Sequence, residues 1–363
     1  MKQIKLVDVI NQLLINNIAF VAFRQPQSDD PQLYAGGEFD CLDSLEIIPE
    51  NGFVFHPFHA DDEKTRFLKP QQISTGWELQ IDFSTLSSHQ NKVFQAVDSP
   101  YVTSKTEYLS QVKSLISKLK NAELNKIVLS RVIAHELDAV VDWGRKFEQL
   151  CQKYPSAFVY VLSDGQGLFW AGATPETLLS VSNQKAYTMA LAGTQAAKLT
   201  PGETYSWQTK EREEQRYVTD YIVGVLRDSG IEKPSVSETR THLAGKLAHL
   251  VNHIDFEMPE RTSAFELARK IHPTPAICGF PKEKSLDLIL KTELHRRSYY
   301  SGFLGLVREN ASTDFYVNLR CVQLVGNQLY SYAGGGLTAD SNPEKEWVET
   351  VLKSQTMLSL FTK

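Results

Sequence analysis

The sequence has few cysteines, and they form no pattern that holds a metal or a disulfide framework. Of its 363 residues only four are cysteine, namely Cys41, Cys151, Cys278 and Cys321. None belongs to a CxxC pair or lies near a histidine at the spacing of zinc ligands, which argues against the common structural zinc sites. We therefore predict buried, reduced thiols.

Excess positive charge and long apolar runs are also lacking. The formal net charge is −5 and the pI is near 6.0, which disfavours nucleic acid or an anionic membrane as a partner. The first residues, MKQIKLVDVINQLLINN, look like a signal peptide, but polar residues such as Asp8 and Asn11 favour an amphipathic helix. No apolar stretch reaches membrane-spanning length. We expect a cytoplasmic protein.

No solenoid repeat, low-complexity linker, P-loop or GxGxxG motif is present. A repeat protein and the common nucleotide-binding folds are therefore not favoured. The composition, with 42% hydrophobic and 22% charged residues, is that of a globular protein. Because no linker divides the chain, we predict one domain over residues 1–363.

Hydrophobic periodicity predicts a mixture of strands and helices. Helical spacing occurs in KTEYLSQVKSLISKLKN, KEREEQRYVTDYIVGVLRDSG and the first part of TSAFELARKIHPTPAICGFPK. Strand alternation occurs in KIVLSRVIAHEL, SAFVYVLSDGQGLFWAGATPETLLSV and KAYTMALAGTQ. Hairpins outnumber βαβ units, so we predict an α/β (α+β) fold with largely antiparallel sheets and helices packed outside.

The C-terminal region predicts an antiparallel meander followed by a helix. We expect three strands, in YYSGFLGLVREN, DFYVNLRCVQLVGN and QLYSYAGGGL, joined by short turns. The stretch Ser341-Asn342-Pro343-Glu344 offers a polar cap and a proline for the first turn of the closing helix.

Two helices carry acids where a metal could bind. Glu211 and Glu214 extend the apolar stripe of the helix that follows residue 208, and a carboxylate on such a stripe needs a partner. Glu346, Glu349 and Lys353 share one face of the closing helix. Surface ion pairs with neighbouring lysines and arginines would explain the first set equally well, and for the second set a solvated helix with a Glu-to-Lys pair is the commoner case. The alternative is Mg²⁺, which takes one or two carboxylates together with substrate oxygens and water.

The glycine triplet before the closing helix has two interpretations. Gly334, Gly335 and Gly336 could present backbone N–H groups to an anion, or they could simply form a tight turn. Arg320, on the preceding strand, would add a bidentate clamp for an anion. Together these residues suggest a dianionic substrate that Mg²⁺ bridges to the acids.

Motifs over about residues 105–363 resemble those of the chorismate-utilising enzymes, and within them the isochorismate synthases. They occur in the order KIVLSR, GATPETLL, LAGT, KEREEQ, HLAGKL, HPTPAICGFP, SGFLG, NLRC, YAGGG and EWVETVLK. The resemblance implies two large pseudo-symmetric sheets with outer helices around a buried site. Residues 1–104 would be the more variable part of the same domain.

The resemblance also implies a reaction and the residues that carry it. Lys126 would be the base that activates water for attack at C2 of chorismate, which requires a neutral amine. Glu176 would protonate the departing C4 hydroxyl, so its pKa should be raised by an apolar setting. Glu214 and Glu349 would bind Mg²⁺, with Glu211 and Glu346 as supports acting through water.

Further positions would bind the substrate. Arg320, Gly334 and Lys353 correspond to contacts with its carboxylates. The implied pocket lining consists of Leu191, Gly193, Thr194, His242, Ala276, Ile277, Tyr300, Leu319 and Tyr332. Gln215 stands where the family often has histidine after the metal-binding glutamate, which leaves the fine tuning of that ligand open.

Alternatives within the family differ in the nucleophile or in a later step. Anthranilate and aminodeoxychorismate synthases use ammonia, differ at the position of Lys126 and typically have Thr or Ser at that of Ala276. Salicylate synthases keep the lysine and go on to eliminate pyruvate. A chorismate-binding relative without activity is a further possibility, which retention of Lys126 and Glu176 disfavours. Water as the nucleophile implies that no glutamine amidotransferase subunit is needed.

Overall fold

The computed structural model describes residues 3–42, 51–88, 97–197, 204–244, 247–259, 262–308 and 312–361. Two residues of the motif HLAGKL, 245 and 246, lie outside these ranges. Within them no helix is both long and apolar enough to cross a membrane. Three of the four cysteines are buried, but Cys41 is exposed, so the prediction of buried thiols is wrong for that residue.

Seven α-helices lie in the described part of the chain. They are α1 (Leu6–Ile15), α2 (Lys105–Lys120), α3 (Trp143–Lys153), α4 (Thr209–Asp228), α5 (Ala264–Ile271), α6 (Lys282–Thr292) and α7 (Pro343–Leu358). The amphipathic patterns predicted α1, α2, α4, α5 and α7, but not α3 or α6. Local signals fix several starts: Ser104 and Glu107 form a capping box at α2, and the Asn342 side chain accepts hydrogen bonds from backbone N–H groups at α7.

The strands fall into two large sheets and one small ribbon. In chain order they are β1 (Ile4–Lys5), β2 (Phe20–Arg24), β3 (Gln32–Ala35), β4 (Phe39–Leu42), β5 (Gly52–His56), β6 (Thr65–Leu68), β7 (Gln72–Thr75), β8 (Glu78–Leu79), β9 (Lys126–Glu136), β10 (Phe158–Ser163), β11 (Phe169–Thr174), β12 (Thr177–Ser182), β13 (Lys185–Ala196), β14 (Ser235–Val236), β15 (Arg240–Ala244), β16 (Leu247–Glu257), β17 (Gly279–Phe280), β18 (Phe303–Val307), β19 (Thr313–Val317), β20 (Cys321–Val325) and β21 (Gln328–Leu337).

Sheet order confirms the predicted antiparallel architecture. A nine-stranded sheet runs β17-β9-β21-β20-β11-β10-β2-β3-β7, and a ten-stranded sheet runs β14-β16-β13-β12-β19-β18-β5-β6-β4, with β15 also paired to β16. The strand pairs of both sheets are antiparallel in the described residues, as in the register of β9 with β21.

The two sheets pack face to face, with helices on their outer faces. Alternation along β10 illustrates the layering, because Phe158, Tyr160 and Leu162 join a cluster that includes side chains of both sheets. Val159 and Val161, on the opposite face, pack with α1 and α3. A third cluster places α4 and α5 on the outer face of the ten-stranded sheet. These layers are the outer-helix arrangement that the strand pattern predicted.

The C-terminal meander differs from the prediction at its middle strand. The stretch DFYVNLRCVQLVGN is two strands, not one: β19 pairs with β18 in the ten-stranded sheet, and β20 pairs with β21 in the nine-stranded sheet. The chain crosses from one sheet to the other through residues 318–320, and Arg320 there has a left-handed φ of 49°. Alternation of apolar residues continues through the break, which is why periodicity alone did not reveal it.

A second crossing lies directly beside the first. β11 belongs to the nine-stranded sheet and β12 to the ten-stranded sheet, so Pro175 and Glu176 connect the sheets. Hydrogen bonds join the two crossings: the Thr174 hydroxyl donates to the Val317 carbonyl at 2.6 Å, and the Val317 N–H donates to the Glu176 carbonyl at 3.0 Å. The crossings therefore hold each other in place.

Replacing Thr174 with valine tests this contact. Thr174→Val keeps the shape of the side chain but removes the hydroxyl, while the Val317 carbonyl retains its second bond from the Leu319 N–H. We expect the free energy of unfolding to fall by about 1 kcal/mol. Urea titration of the wild type, Thr174→Val and Thr174→Ser measures it. Equal stability of the valine and serine variants would contradict the role of the hydroxyl.

Candidate active site

A pocket opens at the two crossings, between the glycine strand β21 and the start of α4. Counted out to its mouth, it encloses about 660 Å³. Thirteen of the residues singled out from the sequence line it, namely Glu176, Leu191, Gly193, Thr194, Glu211, Glu214, Ala276, Leu319, Arg320, Gly334, Gly336, Glu349 and Lys353. The structure therefore brings together residues that the chain separates by up to 177 positions (353 − 176).

Lys126 begins β9 at the edge of this pocket and is fully buried. Its Nζ lies 2.8 Å from Oε1 of Glu214. Glu214 belongs to α4, the helix that packs on the ten-stranded sheet. Burial alone would raise the pKa of Glu214, but the Lys126 ammonium, with Lys210 and Lys353, holds that pKa below its usual value. Glu214 is therefore an ionised carboxylate at neutral pH.

Glu176 is the contrasting carboxyl group. It is buried at the second crossing, and burial raises its pKa to about 8 although Lys126, Arg320 and Lys353 lower it. Glu176 therefore carries a proton over most of the neutral range, as the family resemblance led us to expect. A protonated carboxyl beside a lysine is the pairing that separates acid from base.

Cations face the same pocket from two elements. Arg320 is half-buried, and its guanidinium Nη1 is buried with no hydrogen-bond partner among the described residues. Lys353 of α7 donates to the Gly334 carbonyl at 2.8 Å and pairs with Glu349 Oε1 at 2.6 Å. A buried guanidinium N–H without a partner is costly unless an anion accepts its hydrogen bond, so the pocket suits a carboxylate-bearing ligand.

The glycine triplet is not a turn. Gly334, Gly335 and Gly336 lie within β21 and pair with Ser130, Leu129 and Val128 of β9. Glycine at these positions leaves room for carboxylates: a Cβ on Gly336 would lie 2.4 Å from Glu214 Oε1, and one on Gly335 would lie 3.2 Å from Glu346 Oε2. Because glycine has no side chain, the acids of two helices can reach the strand.

Gly193 forms a bulge that shapes the opposite wall. Its φ is +63°, and the register of β13 with β16 shifts between Ala192 and Thr194. The Gly193 carbonyl and the Thr194 hydroxyl both lie within hydrogen-bond distance of His249 Nδ1, at 3.0 and 3.2 Å.

The two supporting acids have different neighbours. Glu346 is buried and pairs with Lys210 Nζ at 3.1 Å, and burial together with Glu349 raises its pKa. Glu211 lines the pocket, but its carboxylate accepts a bond from the backbone N–H of Gln208 and so caps α4. Capping accounts for Glu211 without a metal.

The remaining acids fit a partial metal site. In the described ranges no three His, Cys, Asp or Glu side chains form a complete metal site. Glu214 and Glu349 nevertheless both approach the glycine strand, within 4 Å of the positions that Cβ atoms would take on Gly336 and Gly335. Two carboxylates facing an anion-binding cavity match the incomplete oxygen cage that Mg²⁺ accepts.

Four predicted lining residues lie outside this pocket. Ile277 packs in the core, and its carbonyl accepts a bond from Arg297. Tyr300 lies behind the wall, with its hydroxyl 3.1 Å from the Cβ position of Gly334, and Tyr332 stacks on it. His242 lines a neighbouring cavity that shares Pro175 and Arg320 with the pocket.

His249 takes the place that the sequence assigned to His242. It is buried, lines the pocket and has no partner for Nε2 in the described part of the chain. Burial, with Arg320 and Lys353, holds the pKa of His249 well below its usual value, so the ring is neutral. The paired strands β15 and β16 set His242 directly opposite His249, and a sequence alone does not tell which faces inward.

Gln215, where the family often has histidine, turns away from the pocket. Its Nε2 donates to the Ala190 carbonyl and to Asn252 Oδ1, at 2.9 and 2.8 Å. These bonds fasten α4 to β13 and β16, and so hold Glu214 in position.

Comparison with known proteins agrees with this geometry. The sequence model of the chorismate binding enzymes matches residues 57–362. The chain belongs to that family. Isochorismate synthase EntC of Escherichia coli (strain K12) is 28% identical to it over 280 residues, which make up 75% of this chain and 71% of that protein.

Two solved structures share the fold. DhbC from Bacillus anthracis, assigned as a 2,3-dihydroxybenzoate-specific isochorismate synthase, has a TM-score of 0.79 at 26% identity, covering 96% of this chain and 98% of that one. MenF from Escherichia coli, the menaquinone-specific isochorismate synthase, has a TM-score of 0.80 at 20% identity, covering 99% and 94%. The predicted fold class is confirmed.

The raised pKa of Glu176 predicts a pH dependence of stability. The folded protein binds this proton more tightly than the unfolded chain, whose carboxyl has a pKa near 4.5 against about 8 in the fold. The contribution of Glu176 is therefore complete below pH 4.5 and is lost as the pH rises towards 8. We expect the free energy of unfolding of the wild type, relative to Glu176→Gln, to fall across this range in urea titrations. A difference that stays constant with pH would contradict the shift.

Proposed function

We propose that this chain is an isochorismate synthase, an isomerase that interconverts chorismate and isochorismate. The observation that carries the proposal is a buried, protonated Glu176 in a pocket that also contains Arg320 with an unpartnered Nη1, together with Lys126, which reaches the pocket through Glu214 at 2.8 Å. Membership of the chorismate binding family and the names of the relatives support it.

The reaction moves a hydroxyl group from C4 to C2. The neutral Lys126 amine removes a proton from water as the water oxygen bonds to C2 of the ring. Both ring double bonds shift, from C1=C2 and C5=C6 to C1=C6 and C4=C5, the C4–O bond breaks, and Glu176 supplies the proton with which the old hydroxyl leaves as water. One water enters and one leaves, so chorismate and isochorismate have the same atoms. In the reverse direction Lys126 and Glu176 exchange their tasks as acid and base.

Charged groups of the pocket orient the two substrate carboxylates. Arg320 and Lys353 attract them, and the backbone of Gly334 lies within reach. Glu214 and Glu349 would hold Mg²⁺, which would supply positive charge close to a substrate carboxylate. Lys126 pairs with Glu214 at 2.8 Å, so to act as a base it would have to leave this pair without its ammonium proton.

Water as the nucleophile fits the two residues that separate the family members. Lys126 is buried beside the pocket, and Ala276 contributes an apolar methyl group to the lining. The proposed reaction needs no ammonia and no glutamine amidotransferase subunit. It would take place in the cytoplasm and supply menaquinone or siderophore biosynthesis, because relatives of both kinds share the fold.

Product identification tests the reaction. Purified protein with chorismate and Mg²⁺ should give isochorismate, measured by chromatography, without any amine donor. Anthranilate formed in the presence of ammonium, or salicylate with pyruvate, would contradict the assignment within the family. Tight binding of chorismate without turnover would instead indicate a non-catalytic relative.

Replacing Lys126 tests the base. Lys126→Ala should lower kcat by a factor of about 10²–10⁴, the usual contribution of a general base, while chorismate still binds. Lys105→Ala is the matched control, because Lys105 pairs with Glu344 on the surface at 2.9 Å. Turnover of the Lys126 variant at the wild-type rate would exclude the role of base.

Replacing Glu349 tests the metal. Glu349→Ala should remove the Mg²⁺ dependence and weaken substrate binding together. The reason is that Glu349 would hold the metal, and the positive charge of the metal would favour the substrate carboxylate. Turnover against Mg²⁺ concentration, with chorismate binding measured by calorimetry, follows both effects. Normal Mg²⁺ dependence in this variant would rule out Glu349 as a ligand.

A further inference from the structure

Lys210 is a charged residue of the pocket that the proposed reaction does not use. It lies in the first turn of α4 and lines the pocket, with its side chain 30% exposed. Its Nζ is 3.1 Å from Glu346 Oε1. Glu346, Glu214 and Glu349 all attract its ammonium group, so Lys210 lies among the three acids that approach the glycine strand. We call these three acids the acid cluster.

Each acid of the cluster already has an ammonium partner. Lys126 pairs with Glu214, Lys210 with Glu346 and Lys353 with Glu349, at 2.8, 3.1 and 2.6 Å. When all three acids are ionised, three negative charges therefore face three positive charges, and the sum is close to zero. A divalent cation gains little from a site whose charge is already compensated, because its attraction to the acids is offset by repulsion from the lysines.

The three lysines differ in how easily they can leave their ion pairs with the acid cluster. Lys126 is fully buried at the start of β9, and Lys353 also donates to the Gly334 carbonyl. Lys210 is the most exposed of the three, and among the described residues its one recorded hydrogen bond is to Glu346. Its flexible stem can turn towards solvent without breaking another contact.

We propose that Lys210 makes metal binding at the acid cluster depend on the substrate. This inference rests on the proposed function, and it adds an order of binding to it. A dianionic substrate brings two negative charges into the pocket, so the cluster then attracts a divalent cation and Lys210 turns away. By thermodynamic linkage the metal strengthens substrate binding by the same factor. Lys210 is a positioning residue and takes no part in proton transfer.

Metal affinity without substrate tests the proposal. Mn²⁺ replaces Mg²⁺ as the probe, and paramagnetic resonance measures the free ion at pH 8.5, well above the ordinary pKa of a glutamate. We expect Lys210→Met to bind Mn²⁺ at least about tenfold more tightly than the wild type in the absence of chorismate, because a competing charge has gone. Lys210→Arg keeps the charge and should stay near the wild type.

Two controls separate charge from local rearrangement. Lys105→Met removes a surface lysine that pairs with Glu344 of α7, and it should leave the Mn²⁺ affinity unchanged. The double variant Lys210→Met/Glu346→Gln restores the charge balance, so its affinity should return to near the wild-type value. Far-UV circular dichroism and the urea midpoint check that each variant is folded.

The outcomes distinguish this inference from the function on which it rests. If the wild type binds Mn²⁺ with chorismate, and Lys210→Met is no tighter than the wild type without it, the inference is overturned and the proposed function stands. If no variant binds Mn²⁺ under any condition, the proposed metal dependence fails and the inference fails with it. Tighter binding in Lys210→Met that the double variant reverses supports the proposal.

Discussion

The hydrogen bonds between the two sheet crossings are the constraint on which the site depends. Thr174 and Val317 end the strands that lead into the crossings, and they are joined at 2.6 Å. Beside this bond, the Ala173 N–H, one residue before Thr174, donates at 3.1 Å to the carbonyl of Arg320, three residues after Val317. Since Glu176 and Arg320 lie on these short connections, the acid and the arginine are fixed relative to each other by backbone contacts, not by long flexible side chains.

A second constraint is the close approach of helices to the glycine strand. β20 pairs with β21 over Gln328–Ser331, and beyond that stretch β20 has turned into the crossing. The following glycines of β21 are thus open to α4 and α7. The acids can reach them because no Cβ stands in between. The row of acids after the glycines is explained by this contact, since the helix that carries Glu346 and Glu349 packs directly on the strand.

Much of the fold could be predicted from the sequence because its signals are local. Alternation along β9 and the apolar stripe of α4 depend on neighbours in the chain, and both elements begin close to their predicted residues. The break at residues 318–320 could not be found in this way. Nothing in the local pattern tells whether a strand continues in one sheet or changes to another, because the inward-facing residues of both sheets are equally apolar.

The candidate site shows the same division between local and non-local information. The ten motifs identified most of the lining, but the choice between His242 and His249 depends on which of two paired strands faces the pocket. Lys210 was missed because a lysine in the first turn of a helix, beside several acids, has the pattern of an ordinary surface ion pair. Only the packing of α4 against α7 reveals that its partner, Glu346, is buried.

Burying so many charged groups is costly unless each has a partner of opposite charge. Glu176 is the carboxyl group without such a partner in the described residues. Glu214, Glu346 and Glu349 each have a lysine within 3.1 Å, whereas no ion pair to Glu176 occurs in the described residues. A buried carboxyl without such a partner lowers its free energy by keeping its proton, which is the origin of its pKa of about 8. The lysine pairing that lowers the pKa of Glu214 is absent at Glu176, which therefore keeps a proton that it can donate. The proposed acid and the proposed metal ligands are chemically the same group, and the position of the lysines distinguishes Glu176 from Glu214.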